Sequence, residues 1–251
     1  MRLMRKLSDM IVYIGKQKMY PLLIVFFLGI AFFFILGQLY YSVRKKAYCE
    51  KLERTFKEAL RHRRSYYALA PESPIDDARI EEIVRFAIKH VPSAFNSQST
   101  RAVLLLHEHH DELWKIVKRT LRAIVPEGAF ARTEEKIEHS FAAGYGTVLF
   151  FEDTDVVRGL QQQFPAYAGN FPVWSEQTSA MHQLAVWTML EDAGLGASLQ
   201  HYNPLIDDEV RKRWSLPGEW KLVAQMPFGT PAGEPGEKTF KPLDERIRVF
   251  R

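Results

Sequence analysis

The chain of 251 residues has a single cysteine, Cys49, so no intrachain disulfide can hold it together. It has no GxGxxG and no GxxxxGK[ST]. Gly144-Tyr145-Gly146 and Gly194-Leu195-Gly196 are too short to cradle a nucleotide phosphate. The GxSxG elbow of serine hydrolases is missing too. There is no internal repeat and no low-complexity tract, and no basic stripe runs through the bulk of the chain, which argues against a nucleic-acid surface. The most telling absence is of charge. Residues 21–41 read PLLIVFFLGIAFFFILGQLYY with no ionisable acid or base of the Asp, Glu, Lys or Arg type. As a helix rising 1.5 Å per residue this run spans about 30 Å, the thickness of a bilayer core.

The remainder is ordinary. Charged residues make up 25% and hydrophobic residues 47%, a globular composition. The net charge is +4, and basic residues flank the apolar run: Arg2, Arg5, Lys6, Lys16 and Lys18 before it, Arg44, Lys45 and Lys46 after it. They suit anchoring to anionic headgroups. With both flanks basic, the positive-inside rule does not set the orientation. A cleaved signal peptide fits poorly, since the run is long and Tyr40, Tyr41 and Arg44 stand where a small-x-small site belongs. The expected organisation is a basic segment at 1–19, a transmembrane helix at 20–43 and a globular domain at 44–251. Cys49, just outside the helix, is either an ordinary thiol or an acylation site.

Within the domain, residues 44–62 predict a helix leaving the membrane. Asp76 or Asp77 caps a helix with a core face of Ile80, Ile83, Val84, Ala87 and Ile88. AVLLL at 102–106 and TVLFF at 147–151 read as buried strands. Helices are expected at 110–125, from Thr133 to about 142, after Asp153 and Asp155, at 174–193 ending at Gly194, and after Pro204. LGASLQ and the stretch Trp220 to Met226 add strands, and Arg246 to Phe250 is a candidate last strand, added late or lent to a partner. Strands and helices alternate with helices in excess. The pattern predicts a layered α/β or α+β domain with about five strands in one central sheet.

Three polar segments stand out. Arg61-His62-Arg63-Arg64-Ser65-Tyr66-Tyr67 combines guanidinium forks with a hydroxyl, which suits a phosphate, or is simply a basic cluster beside the membrane. Pro92-Ser93-Ala94-Phe95-Asn96-Ser97-Gln98-Ser99, followed by Arg101, offers amides that can read the edge of a planar heteroaromatic ring, or is a capped turn. Leu199-Gln200-His201-Tyr202-Asn203-Pro204 lies at the end of a strand, where layered sheets bind ligands. His107-Glu108-His109-His110-Asp111 has metal-binding residue types, but it falls at a strand-to-helix junction where polar residues are expected. No metal is assigned to it.

RRSYYAL at 63–69, PSAFNSQSTRAVLL at 92–105, GYGTVLFFED at 144–153, HQLAVWTMLEDAGLGASLQHYNP at 182–204 and EWKLVAQMPFG at 219–229, with the KPLDERIRV ending, resemble the nitroreductase family of FMN enzymes. Within it they are most similar to the branch of the yeast fatty-acid-repression-mutant protein and the copper-induced bacterial nitroreductases. The resemblance covers about residues 55–249, so the apolar run lies outside it. It implies a nitroreductase-like fold, mostly antiparallel in its sheet, and a homodimer with FMN at the subunit interface. It places Arg63, Arg64 and Ser65 on the phosphate, Asn96 and Gln98 at the ring or ribityl chain, and Gln200 and His201 over the ring. Lys238 fits a basic position of the family's ending. Phe240 stands where an arginine is common, and Lys241 is a substitute. Arg101, Lys238 or Lys241 would stabilise the reduced flavin's charge.

The resemblance further implies a two-step cycle in which NADH or NADPH reduces the flavin and a nitroaromatic or quinone acceptor reoxidises it. His201 and Tyr202 are candidates to close the pocket. Phe164, Tyr167, Phe171 and Trp174 read as dimer interface rather than as acceptor lining. Flavin and nicotinamide supply place the domain in the cytoplasm, as a single-pass membrane protein. The alternative is a non-catalytic subunit of this fold that anchors or assembles a membrane complex.

Overall fold

The structure, a computed structural model, describes residues 54–251 together with 5–6, 29 and 32–37. Most of the expected basic segment 1–19, most of the expected transmembrane helix 20–43, and Cys49 lie outside the described residues. Among the described residues, no helix is long and apolar enough to cross a membrane.

Gly146–Asp153 (β3) is the middle of the sheet, antiparallel to Thr100–Leu106 (β2) on one side and to Trp220–Pro231 (β5) on the other. The far end of β5 carries two short strands, Leu69–Ala70 (β1) and Gly196–Ala197 (β4), both antiparallel to it. The order is β1-β5-β3-β2, with β4 also on β5. Where β1 crosses, a Cβ on Gly229 would stand 2.4 Å from the Ala70 carbonyl oxygen, so only glycine fits.

The helices are Phe56–His62 (α1), Asp77–His90 (α2), Glu108–Arg122 (α3), Glu127–Ser140 (α4), Thr154–Gln163 (α5), Phe171–Asp192 (α6) and Asp207–Arg213 (α7). They cover both faces of the sheet. Val148 and Phe150 of β3 meet Ile80, Ile83, Val84 and Ala87 of α2 and Val186 and Leu190 of α6. Leu149 and Phe151 point the other way, into Leu113, Trp114, Ile116 and Val117 of α3, Ile137 of α4 and Val210 of α7. That is why TVLFF carries no polar alternation: both of its faces are buried. Each large side chain so buried contributes about 1.5–3 kcal/mol. A bulge between Phe150 and Phe151 shifts the register on β5, so Leu222 joins the second core while Ala224 and Met226 join the first.

Helix boundaries follow local chemistry. The Asp76 carboxylate accepts the Arg79 N–H at 3.0 Å, as expected of the cap. Gly194 at φ 88° ends α6. The N–H of Leu195 bonds to the carbonyl of Leu190 and that of Gly194 to Glu191, a Schellman motif. Two expectations need correction. Thr133 caps nothing: α4 starts after Pro126, and the Thr133 hydroxyl bonds back to the Ala129 carbonyl inside the helix. Arg246 to Phe250 is not a strand. After a turn at Leu243–Glu245 those residues are irregular and exposed, and the fifth strand is β1 instead.

Candidate functional site

The first polar segment leaves the end of α1. Thr55 and Glu58 form a capping box at its start, and Arg63 caps its end. The chain then runs beside β4: Ser65 bridges Ala197, and the Tyr66 N–H donates to the Ala197 carbonyl at 2.9 Å. Arg63 lays its guanidinium over the Trp187 ring of α6, 4.3 Å from the centroid. Its Nε is buried with no hydrogen-bond partner among the described residues. The Arg64 N–H donates to the Glu191 carboxylate at 2.8 Å, and its guanidinium donates to the Gly236 carbonyl. That bond brings the C-terminal segment alongside, with Lys238 two residues further on. Lys238 and Lys241 are exposed, and the Lys238 ammonium sits 5.3 Å from the Phe240 ring. Glu191 is 2% exposed. Burial pushes its carboxyl up to about 7, against the pull of the Arg64 N–H and of the Arg63 and Arg64 charges.

The second segment is a tight loop between α2 and β2. Phe95, Asn96 and Gln98 all sit in the left-handed region, at φ 56°, 50° and 50°. Several clamps hold this backbone. The Gln98 N–H donates to the Ser93 hydroxyl at 2.9 Å. Arg101 donates to the Gln98 carbonyl at 2.6 Å and to the Asp153 carboxylate at 2.9 Å. The Ser99 and Thr100 hydroxyls donate to the buried Glu152 carboxylate at 2.6 and 2.5 Å. Burial raises the Glu152 carboxyl, while these two hydroxyls hold it back. Asn96, Gln98 and Arg101 open on a groove of about 1230 Å³ that runs beside the edge strand β2 to His107 and is bordered by His182 and Trp220. On its other side the loop carries Phe95, half exposed, into a cluster with Phe164 (5.0 Å), Phe171 (5.3 Å), Trp174 (5.9 Å) and Tyr167 (6.0 Å).

In the third segment, Gln200 pairs its backbone with Gln225 and its side-chain amide with the Ser198 hydroxyl at 3.1 Å. His201 is exposed. Tyr202 packs edge-on against Trp114 and Phe141 in the second core, and burial alone pushes its phenol up to about 12. The 107–111 cluster scatters as well. His107 pairs with Asp77, His109 accepts from Trp214, and His110 is buried between Thr147 and the Ala142 carbonyl.

The first two segments reach α6 at different points. Arg63, Arg64, Ser65 and the approach to Lys238 gather around Trp187 and Glu191. The loop that carries Asn96 and Gln98 reaches α6 through Phe95, which stacks on Trp174. These points lie thirteen residues apart on α6, about 20 Å at 1.5 Å per residue. Arg101 is committed to Asp153 and the loop, so it supports the amides rather than standing as an isolated cation. Sequence reading missed Glu152, Glu191 and Trp187. The available signal was an acid closing an apolar strand (FFED) and another near the end of a mostly apolar helix (TMLED), both ordinary-looking element ends.

Residues 60–230 match the Nitroreductase family. The chain is 40% identical over 197 residues to the Saccharomyces cerevisiae nitroreductase-type protein HBN1, covering 77% of this chain and 96% of that one. It is 35% identical over 196 residues to the nitroreductase FRM2 of the same yeast, covering 76% and 95%. Among solved structures, the nitroreductase CinD from Lactococcus lactis in complex with nicotinic acid is 45% identical with a TM-score of 0.73, covering 78% of this chain and all of that one. The complex of CinD with 4-nitrophenol aligns at 44% identity and a TM-score of 0.71 over the same shares.

Proposed function

The chain belongs to the nitroreductase family of oxidoreductases, and we propose that it is a membrane-anchored, FMN-dependent NAD(P)H oxidoreductase working as a homodimer on nitroaromatic or quinone-type acceptors. The observation that carries this reading is the Arg63–Arg64–Ser65 cluster. It offers two guanidiniums and a hydroxyl, and the Arg63 Nε is buried without a hydrogen-bond partner among the described residues. Such a donor set suits a phosphate monoester. In this reading Arg63, Arg64 and Ser65, with Lys238 or Lys241, hold the phosphate. Asn96 and Gln98 orient the ring, and Gln200 and His201 border it. When bound, the flavin supplies the redox chemistry, taking hydride from NADH or NADPH and yielding it to the acceptor. The protein binds, orients and excludes water; none of its side chains is assigned an acid or base step.

A second copy resolves the separation of the two half-sites. The buried face of α6 is largely polar, with Ser175, Thr178, Ser179, His182 and Gln183, while Val173, Met181 and Leu184 form an exposed apolar stripe on another face. Two α6 helices packed antiparallel through that stripe would set the Arg63 end of one copy beside the Asn96 end of the other. A twofold interface of this kind builds two composite sites at once. The aromatic group around Phe95 and the exposed Ile247, Val249 and Phe250 of the tail extend the surface available to a partner. The acceptor class rests on the relatives and on the charge-free run at 21–41, which would keep the domain beside lipid, where quinones concentrate.

The test is direct. Full-length protein purified in detergent should carry FMN, run as a dimer and consume NADH or NADPH when given 4-nitrophenol or a quinone. Dimeric protein with neither flavin nor activity would support the non-catalytic alternative and contradict this reading.

A further inference from the structure

Glu191 has no task in the chemistry above, yet it sits inside the phosphate cluster. One carboxylate oxygen accepts the Arg64 N–H at 2.8 Å. The Arg63 Nε is buried without a hydrogen-bond partner among the described residues, and the other oxygen meets the Trp187 indole nitrogen only at the margin of a hydrogen bond. One buried donor is thus left unbonded beside an acceptor that is only weakly bonded. Native interiors rarely tolerate that unless a ligand or a proton completes the set. Arg63 and Arg64 face Glu191 from the segment after α1, and Tyr66 lies close enough to feel its charge. Beyond them stand the Arg54–Asp192 ion pair at 3.2 Å, His62 beside it, and Glu234 near Tyr66.

We propose that Glu191 is the built-in counter-charge of the Arg63–Arg64 site, and that its protonation lifts the repulsion that a bound phosphate monoester meets there. This rests on reading the cluster as the site of the flavin phosphate. Glu191 bonds to the Arg64 backbone and feels both arginine charges through space, so its carboxylate and a phosphate dianion at the same arginines repel each other in a buried setting that screens poorly. Oε2 can go on accepting the Arg64 N–H while Oε1 takes up a proton. Because this carboxyl titrates at about 7, the repulsion is switched within the physiological range. Phosphate binding then draws in a proton, and FMN affinity falls as pH rises through neutrality. Riboflavin has the same ring without the phosphate and feels none of this.

The experiment titrates FMN and riboflavin into flavin-depleted full-length protein in detergent at pH 6 and pH 8, for wild type and Glu191→Gln. Calorimetry in two buffers of different ionisation enthalpy measures proton uptake at pH 7. The ratio of wild-type to Glu191→Gln Kd for FMN should rise about tenfold between the two pH values. The phosphate's own ionisation near pH 6 acts equally on both proteins and cancels. Riboflavin should show no such change, and wild type should take up a net fraction of a proton with FMN. Equal pH dependence in both proteins, or no uptake by wild type, overturns the proposal while leaving FMN binding intact. If Glu191→Gln fails to fold, the wild-type proton uptake decides alone. Absence of FMN binding at either pH would instead remove the phosphate site itself.

Discussion

At the scale of single residues, Arg63 combines a ring to lie on with a buried nitrogen that has no hydrogen-bond partner among the described residues. If that nitrogen serves a phosphate, Arg63→Ala should weaken FMN binding by about 1.5–3 kcal/mol, roughly ten- to a hundredfold in Kd. Equilibrium dialysis of FMN measures it, and unchanged affinity would place the phosphate elsewhere. His110 gives a different prediction. The Trp114 indole donates to the Thr147 hydroxyl at 3.1 Å. Thr147 can in turn donate to His110 Nδ1 at 2.9 Å, with Nε2 facing the Ala142 carbonyl at 3.2 Å. A neutral imidazole satisfies every member of this chain. Burial lowers the folded-state pKa of His110 below its ordinary value, so the unfolded state binds the extra proton first. The contribution is complete above about pH 6.5 and is lost as pH falls from there, by at most about 1.4 kcal/mol per pH unit. Urea unfolding between pH 7 and pH 5 should show a flatter stability profile for His110→Gln than for wild type.

At the scale of elements, Glu152 does for the α2–β2 loop what a cap does for a helix. It takes two hydroxyls from consecutive residues, directly after a turn with three side-chain-bearing positions at positive φ. Glu152→Ala should cost on the order of 2–4 kcal/mol, because two buried hydroxyls lose a charged acceptor. A smaller drop in the urea midpoint would show that the loop is held by Arg101 and Ser93 alone. The elements themselves were legible where one short-range signal decides them. Asp76 and Gly194 bound their helices by hydrogen bonds made within a few residues, and AVLLL and TVLFF are apolar because both sheet faces are covered. β1 was illegible. Leu69 and Ala70 are a strand only because Pro231 and Thr230 lie opposite. The start of α4 was hidden because its first turn, EGAF, has no amphipathic period, and the hydroxyl of Thr133 suggested a cap that the helix does not need.

At the scale of the whole molecule, the motifs named the polar segments but not their arrangement. Nothing in RRSYYAL or PSAFNSQS reveals that one packs near Trp187 and the other near Trp174, because that separation is set by the length of α6. In the proposed reading it is also what a second copy would bridge. Leu184→Glu, in the exposed stripe of α6, should shift the protein to monomers in sedimentation analysis and lower bound flavin with them. Flavin retained by a monomer would place the whole site within one chain. The most direct measurement of the central claim is the visible spectrum of the full-length protein in detergent, taken before and after adding NADH without oxygen. The account predicts a yellow protein with flavin absorption that bleaches on addition and returns when a nitroaromatic or quinone is supplied. A colourless, correctly folded dimer that gains no flavin from excess FMN would contradict it.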